Sequence, residues 1–321
     1  MKQLKYFVLL LVFFLPTALL AGQQYDRIYV FGDSLSDTGN LASVIGSFPN
    51  PPYFDNRVTN GFVAVEVMAQ RLGLPLETSL HLLGPASGTN YAVAAAKAAS
   101  SEPIDLSTQV ALFLANHGGV APANALYVMF IGGNDIRYAR GQDSDAAVQY
   151  VNEAARTIAT QMQVLSVSGA KNWLVVNAPD VGRIPETQLI AAYTSQPGLP
   201  AQTTALSIQF NNALKRQVQL LEDEANIDAE RFDLFKLFNR ILKKSDKLGF
   251  TNDTDPCFSS EQGMFTPGCN YGLNFDQYIW FDEIHPTARV HAMIGEAMYR
   301  KVREEEHEEH DEDILKTAYV R

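Results

Sequence analysis

Four short polar segments of this chain carry the residue types that acyl transfer requires. The first, Gly32-Asp33-Ser34-Leu35-Ser36-Asp37-Thr38-Gly39-Asn40, directly follows the apolar run Ile28-Tyr29-Val30-Phe31. A serine at a tight strand-to-helix turn exposes its hydroxyl, and first-turn amides beside it stabilise negative charge. Taken alone, the segment reads equally as a helix cap followed by a polar turn. Two rival chemistries fail on spacing: an α/β-hydrolase elbow needs Gly where Ser36 stands, and no Gly-Lys-Ser/Thr phosphate loop is present.

The second segment, Ile131-Gly132-Gly133-Asn134-Asp135, also ends an apolar run, and Asn134 is a neutral donor suited to a developing oxyanion. An Asn-Asp turn is the plainer reading. The third, Gly88-Thr89-Asn90-Tyr91-Ala92-Val93-Ala94-Ala95-Ala96, leads into small residues against which a substrate could meet backbone N–H groups, or which simply pack closely in the core. The fourth is Asp282-Glu283-Ile284-His285-Pro286. Asp and His three apart occupy one turn, so the carboxylate can bond one imidazole nitrogen and leave the other facing Ser34. On that geometry Glu283 points elsewhere; in isolation the pair reads equally as an Asp cap with an incidental His.

The elements that must position these segments follow from hydrophobic period. Residues 27–31, 90–93, 126–131, 173–176 and 232–234 read as buried strands. Residues 61–72, 106–116, 145–167, 201–225 and 286–306 have helical period, the last opening on Pro286. This alternation predicts a parallel sheet with helices on both faces, in which ligands bind beyond the carboxyl ends of the strands. Three of the four segments sit just after strand runs. No repeat or Pro/Gly/Ser linker divides residues 22–303, which are read as one domain. Residues 244–277 form a long irregular connection of the kind that is usually functional.

Lys2 and Lys5, an apolar run over residues 6–20, and the small Ala21 and Gly22 have the order of a secretory signal, so residues 1–21 are expected to be removed on export. The run is shorter than the ~20 residues a spanning helix needs, which argues against an integral membrane protein. The product is expected to be secreted or periplasmic. In that compartment the lone pair Cys257 and Cys269 is expected to close a disulfide loop. A formal net charge of -11 argues against nucleic acid as a partner. Much of this charge lies in residues 304–321, an acidic tail. His81 and His117 read as surface or capping residues, and His291 as lying on a different face of the last helix from His285. No metal or cofactor is expected.

Taken in order, the four segments resemble the four sequence blocks of the GDSL, or SGNH, esterase and lipase family, over residues 25–303. The extended first block is similar to the secreted bacterial and plant branch. The resemblance implies a flavodoxin-like three-layer α/β/α sandwich with a central parallel sheet, and a triad of Ser34, Asp282 and His285. It implies an oxyanion hole formed by the backbone N–H groups of Ser34 and Ala95 and the side chain of Asn134. The family usually has Gly where this chain has Ala95, which bears on how closely a bulky acyl group can approach. Chain length, the long first block and the cysteine pair resemble bacterial lysophospholipases, phospholipases A and glycerophospholipid-cholesterol acyltransferases. The implied substrate is therefore a lysophospholipid or phospholipid ester, with a sterol as a further acyl acceptor. The alternatives are a carboxylesterase or carbohydrate deacetylase of the same family, or a non-catalytic binding module with the same fold. The cysteine loop is either a structural staple or a lid opened by reduction or by an activating protease, with Phe258, Met264 and Phe265 available to touch acyl chains.

Overall fold

The computed structural model describes residues 25–48, 50–225, 227–269 and 274–303. Residues 1–21 and 304–321, read as signal and acidic tail, lie outside the described residues. In chain order the elements are β1 (Arg27–Gly32), α1 (Asn40–Ile45), α2 (Ala64–Leu72), α3 (Leu106–Asn116), β2 (Ala125–Phe130), α4 (Gly133–Ala139), α5 (Ser144–Val167) and β3 (Asn172–Val176). There follow α6 (Pro185–Tyr193), α7 (Leu199–Ala225), β4 (Asp228–Phe232), α8 (Leu234–Lys243), β5 (Asn252–Pro256), β6 (Phe258–Ser259), β7 (Met264–Phe265), β8 (Tyr278–Trp280) and α9 (Ala288–Val302).

β1 to β4 form a parallel sheet in the order β1-β2-β3-β4. Every residue of β2 is buried, as continuous apolar runs require when both faces of a sheet are covered. Helices α3, α5 and α7 pack side by side, and α2 packs against α9. The aromatic centre of the core is Tyr29, Phe31, Phe113, Tyr127 and Trp173, in edge and stacked contacts. No described helix is long and apolar enough to cross a membrane.

Residues 90–93 are not a regular strand. The segment lies parallel along the outer side of β1, with a bridge from Asn90 to Val30 and bonds from Tyr91 N to Val30 O and Val93 N to Gly32 O. The ladder stops after one bridge because Gly32 N–H, which would donate to Tyr91 O as the next rung, is taken by Gln109 Oε1. With this segment as a second strand, the order becomes 2-1-3-4-5, and the strand order reverses between β1 and β2. Ligands bind at such a reversal. The first two polar segments leave from the carboxyl ends of those two strands.

Other expectations are corrected. The last sheet strand runs from Asp228 to Phe232, because Asp233 caps Lys236 N–H and starts α8 at Leu234. The final helix starts at Ala288 and not at Pro286: His285 O accepts from Phe281 N, and Thr287 N donates to Ile279 O, which holds residues 285–287 extended beside β8. The described part of the stretch 244–277 is structured. It holds β5, which pairs with β8, and the β6–β7 hairpin, joined by the Cys257–Cys269 disulfide.

Candidate active site

β1 ends at Gly32, where the backbone of β2 passes so close that a Cβ would stand 2.5 Å from the Phe130 carbonyl oxygen. The side-chain amide of Gln109 accepts from Gly32 N and donates to Gly32 O, so the strand end is fixed before the chain turns. Asp33 O accepts from Ser36 N and Asp37 N, and its carboxylate accepts from Leu35 N at 3.0 Å. This tight turn presents Ser34.

Opposite it, Asp282 and His285 sit in a tight loop between β8 and the extended segment before α9. Asp282 Oδ1 accepts from Ile284 N (2.9 Å), His285 N (2.7 Å) and His285 Nδ1 (2.8 Å); Oδ2 lies 2.9 Å from the same Nδ1. The proton on that nitrogen must therefore face the carboxylate, leaving Nε2 as an acceptor. Ser34 Oγ donates to Nε2 at 2.7 Å. Burial works to raise the Asp282 pKa, but His285 and the two backbone donors outweigh it and hold the group below the usual carboxylate range. The spacing of three arises from this side-chain-braced turn and not from a helical turn. Glu283 turns away, as expected, and accepts from Ser260 in the cysteine loop.

A residue that sequence reasoning missed completes this end of the site. Tyr53, within Pro51-Pro52-Tyr53, donates to Asp282 Oδ2 at 3.0 Å and is itself buried against Phe258 and Phe281. Burial, followed by the charge of Asp282, pushes its phenol upward, so it remains a neutral donor. Its one sequence signal was a tyrosine in a proline-fixed turn, which says nothing of a partner 229 residues away. The cysteine loop packs here, behind Asp282. None of Phe258, Met264 and Phe265 is among the described walls of the cleft beside Ser34.

β2 ends at Phe130, and Gly132 takes φ 131°, where any Cβ would run into the Phe210 ring. Only glycine makes this turn without strain, and it brings Asn134 into the cleft with Ser34. Asn134 Nδ2 donates to Ala96 O at 3.0 Å, and Asn134 Oδ1 accepts from Arg137 Nη1 at 2.7 Å. Asp135 accepts from Ala98 N and Ala99 N, both at 2.9 Å. Asp37 accepts from Gly39, Asn40, Leu41 and Ala94, while Asn40 donates to the Asn90 and Ala92 carbonyls. Three of the polar segments are thus sewn together by buried Asp and Asn side chains. Burial raises Asp33 and Asp135 to about 6.

Ala95 has φ 69°, the left-handed conformation that suits glycine and costs alanine roughly 1–2 kcal/mol. From Ala92 to Ala99 every amide but that of Ala95 donates to an acceptor among the described residues. The Ala95 side chain is exposed and is not among the described walls of the cleft. Those walls are mainly apolar, including Leu35, Phe130, Val181, Ile184, Phe238 and Trp280.

His117 caps the end of α3 as expected, whereas His291 and His81 depart from expectation. His291 lines the cleft; its Nδ1 accepts from Ala64 N at 3.2 Å, and burial, then the proximity of His285, drives its pKa down to about 3. His81 is buried against Tyr91 and bonded to Ser79 Oγ, and burial lowers it to about 4. Both are neutral at ordinary pH. Among the described residues no group of His, Cys, Asp and Glu could hold a metal ion.

A nucleophile bonded to a base, a base bonded to a buried carboxylate, and neutral donors beside them define a site able to carry out acyl transfer. Residues 28–298 match the GDSL-like Lipase/Acylhydrolase family, and the chain belongs to it. Among relatives, it is 28% identical to the thermolabile hemolysin of Vibrio parahaemolyticus, covering 88% of this chain and 65% of that protein. It is 34% identical to lipase 1 of Photorhabdus luminescens (87% and 50%) and 25% identical to the phosphatidylcholine-sterol acyltransferase of Aeromonas hydrophila (91% and 95%). The chain therefore spans about two thirds and one half of the first two relatives' lengths.

Proposed function

We propose that this protein is an exported serine ester hydrolase that removes fatty acyl groups from lysophospholipids or phospholipids, with Ser34 as nucleophile. The observation that carries the reading is the unbroken hydrogen-bond chain Ser34–His285–Asp282 at the mouth of an apolar cleft. As Ser34 Oγ attacks the ester carbonyl, His285 Nε2 takes its proton and the carbonyl electrons move onto oxygen. Asp282 meets the imidazolium, and the N–H groups of Ser34, Ala95 and Asn134 meet the oxyanion. Collapse expels the alcohol, which leaves with the proton from His285. Water then repeats the sequence on the acyl-enzyme and releases the fatty acid. A sterol hydroxyl that outcompetes water would receive the acyl group instead.

The apolar walls supply the reason to favour a fatty acyl group over acetyl, and the name of the Aeromonas relative is consistent with a phospholipid donor. Turnover of lysophosphatidylcholine, diacyl phosphatidylcholine and p-nitrophenyl acetate, with and without cholesterol, tests the reading. Long-chain lipid should be preferred, and Ser34→Ala should abolish both turnover and fluorophosphonate labelling. Parent activity in Ser34→Ala would rule out the mechanism; preference for acetyl esters with no lipid turnover would point to a deacetylase.

A further inference from the structure

A side-chain amide makes a good oxyanion donor only one way round. Turning it by 180° about its last bond presents the carbonyl oxygen, with nearly the same shape and the opposite polarity. The residue that settles this choice for Asn134 lies one helical turn further along α4. Arg137 has donors and no acceptor, so the 2.7 Å bond from its Nη1 requires the Asn134 oxygen to face it. The amide nitrogen then faces the opposite way, with one N–H on Ala96 O at 3.0 Å and the second uncommitted.

Arg137 is held in turn. Glu186 at the start of α6 grips it at two points, Nε to Oε2 at 2.8 Å and Nη2 to Oε1 at 2.6 Å, and also accepts from Arg140 Nη2 at 2.9 Å. This fork fixes the guanidinium plane as a single contact could not. The backbone N–H of Glu186 donates to Glu283 O at 2.8 Å, one residue from Asp282. One residue therefore holds the oxyanion side by its side chain and the acid side by its backbone. Because Asn134 also grips Ala96 O, its orientation carries over to the neighbouring N–H of Ala95. Burial works to raise the Glu186 pKa, but the two guanidiniums outweigh it and keep the carboxylate ionised.

We propose that Arg137, clamped by Glu186, is a positioning residue that fixes the amide orientation of Asn134 and, through Ala96, the register of the Ala95 N–H. The proposal rests on the reading of Asn134 as an oxyanion donor. An ordinary half-buried ion pair would affect stability a little and catalysis not at all.

A double-mutant cycle on kcat separates the cases. Asn134→Ala should lower kcat by about 10²- to 10³-fold. Arg137→Met should lower it by roughly 10- to 100-fold with KM within about twofold, because the donor is present but keeps only the Ala96 O bond of its two anchors and is held less firmly. In the Asn134→Ala background, Arg137→Met should change kcat by less than about twofold, since the group through which it acts is gone. Arg137→Lys keeps the charge but cannot fork, and should fall with Arg137→Met; Glu186→Gln should lose part of the same effect. Thermal melts of all variants accompany the cycle, and if Arg137→Met fails to fold, Arg137→Lys and Glu186→Gln carry it. Parent kcat in Arg137→Met or Arg137→Lys, a change in KM alone, or the same loss with and without Asn134 would overturn the proposal while leaving the oxyanion reading standing. Parent turnover by Asn134→Ala would sink the oxyanion reading itself.

Discussion

Asp33→Asn isolates the cost of keeping a carboxyl beside Ser34, the proposed nucleophile. Asp33 is 2% exposed, and its oxygen accepts from Leu35 N, a bond that an asparagine oxygen can keep. Burial raises its pKa from 3.8 to about 6, against the opposing pull of that bond and of His285. Between those values the folded chain holds the proton more tightly than the unfolded chain does. The stability from this group is fully present below pH 3.8 and is lost as pH rises through 6. At about 1.4 kcal/mol per pKa unit the loss reaches about 3 kcal/mol by pH 7.5. Asp33→Asn removes it. The variant should match the parent near pH 4 and exceed it by up to about 3 kcal/mol at pH 7.5, read from urea midpoints at constant m. Its kcat should move the other way, falling several-fold, because the Asp33 anion favours the His285 imidazolium through about 1 kcal/mol of through-space attraction. A stability difference that does not vary between pH 4 and 8, or a variant less stable at pH 7.5, would refute the reasoning. Asp135, raised by burial to about 6 as well, is present in both proteins, and its charge is part of what raises Asp33.

Tyr53→Phe keeps the ring between Phe258 and Phe281 but strips a donor from Asp282 Oδ2; kcat on a soluble short-chain ester should drop roughly 3- to 10-fold with little change in KM. An effect on KM alone would argue against a link through the carboxylate. Opening the Cys257–Cys269 bond, whose cysteines lie 12 residues apart, should cost about 3 kcal/mol, seen as a lower urea midpoint in reductant. Because the loop supports Tyr53 and does not line the cleft, rates on short and long acyl esters should decline by the same factor. A loss confined to long-chain lipid would instead mark the loop as a lid.

The sequence carried the chemistry in local order. Ser34 after an apolar strand, Asn134 after a second, and Asp282 three residues before His285 are short-range patterns, and strand or turn chemistry fixes what each can do. The alternation of apolar runs likewise implied a parallel sheet, because a strand buried on both faces must be apolar throughout. Element ends were less legible. Residues 90–93 have the composition of a strand, yet Gln109 takes the Gly32 N–H that would have continued their ladder, and Pro286 falls in an extended segment because Phe281 and Ile279 claim the backbone around it.

What only the tertiary structure decided are the contacts that close over long sequence separations. Tyr53 reaches Asp282, Glu186 joins Arg137 to the carbonyl of Glu283, and His291 turns into the cleft as a buried neutral ring. None of these pairings leaves a periodic or spaced signal, since each depends on where helices and loops pack around the sheet. The same holds for Ala95. Its identity alone raised the question of acyl access, but only its φ of 69° shows that the backbone has taken the form a glycine would, with the side chain exposed and away from the cleft walls. Local sequence chose the groups proposed to react, and packing fixed the orientation of each toward the others, because orientation is set by neighbours that the chain supplies from elsewhere.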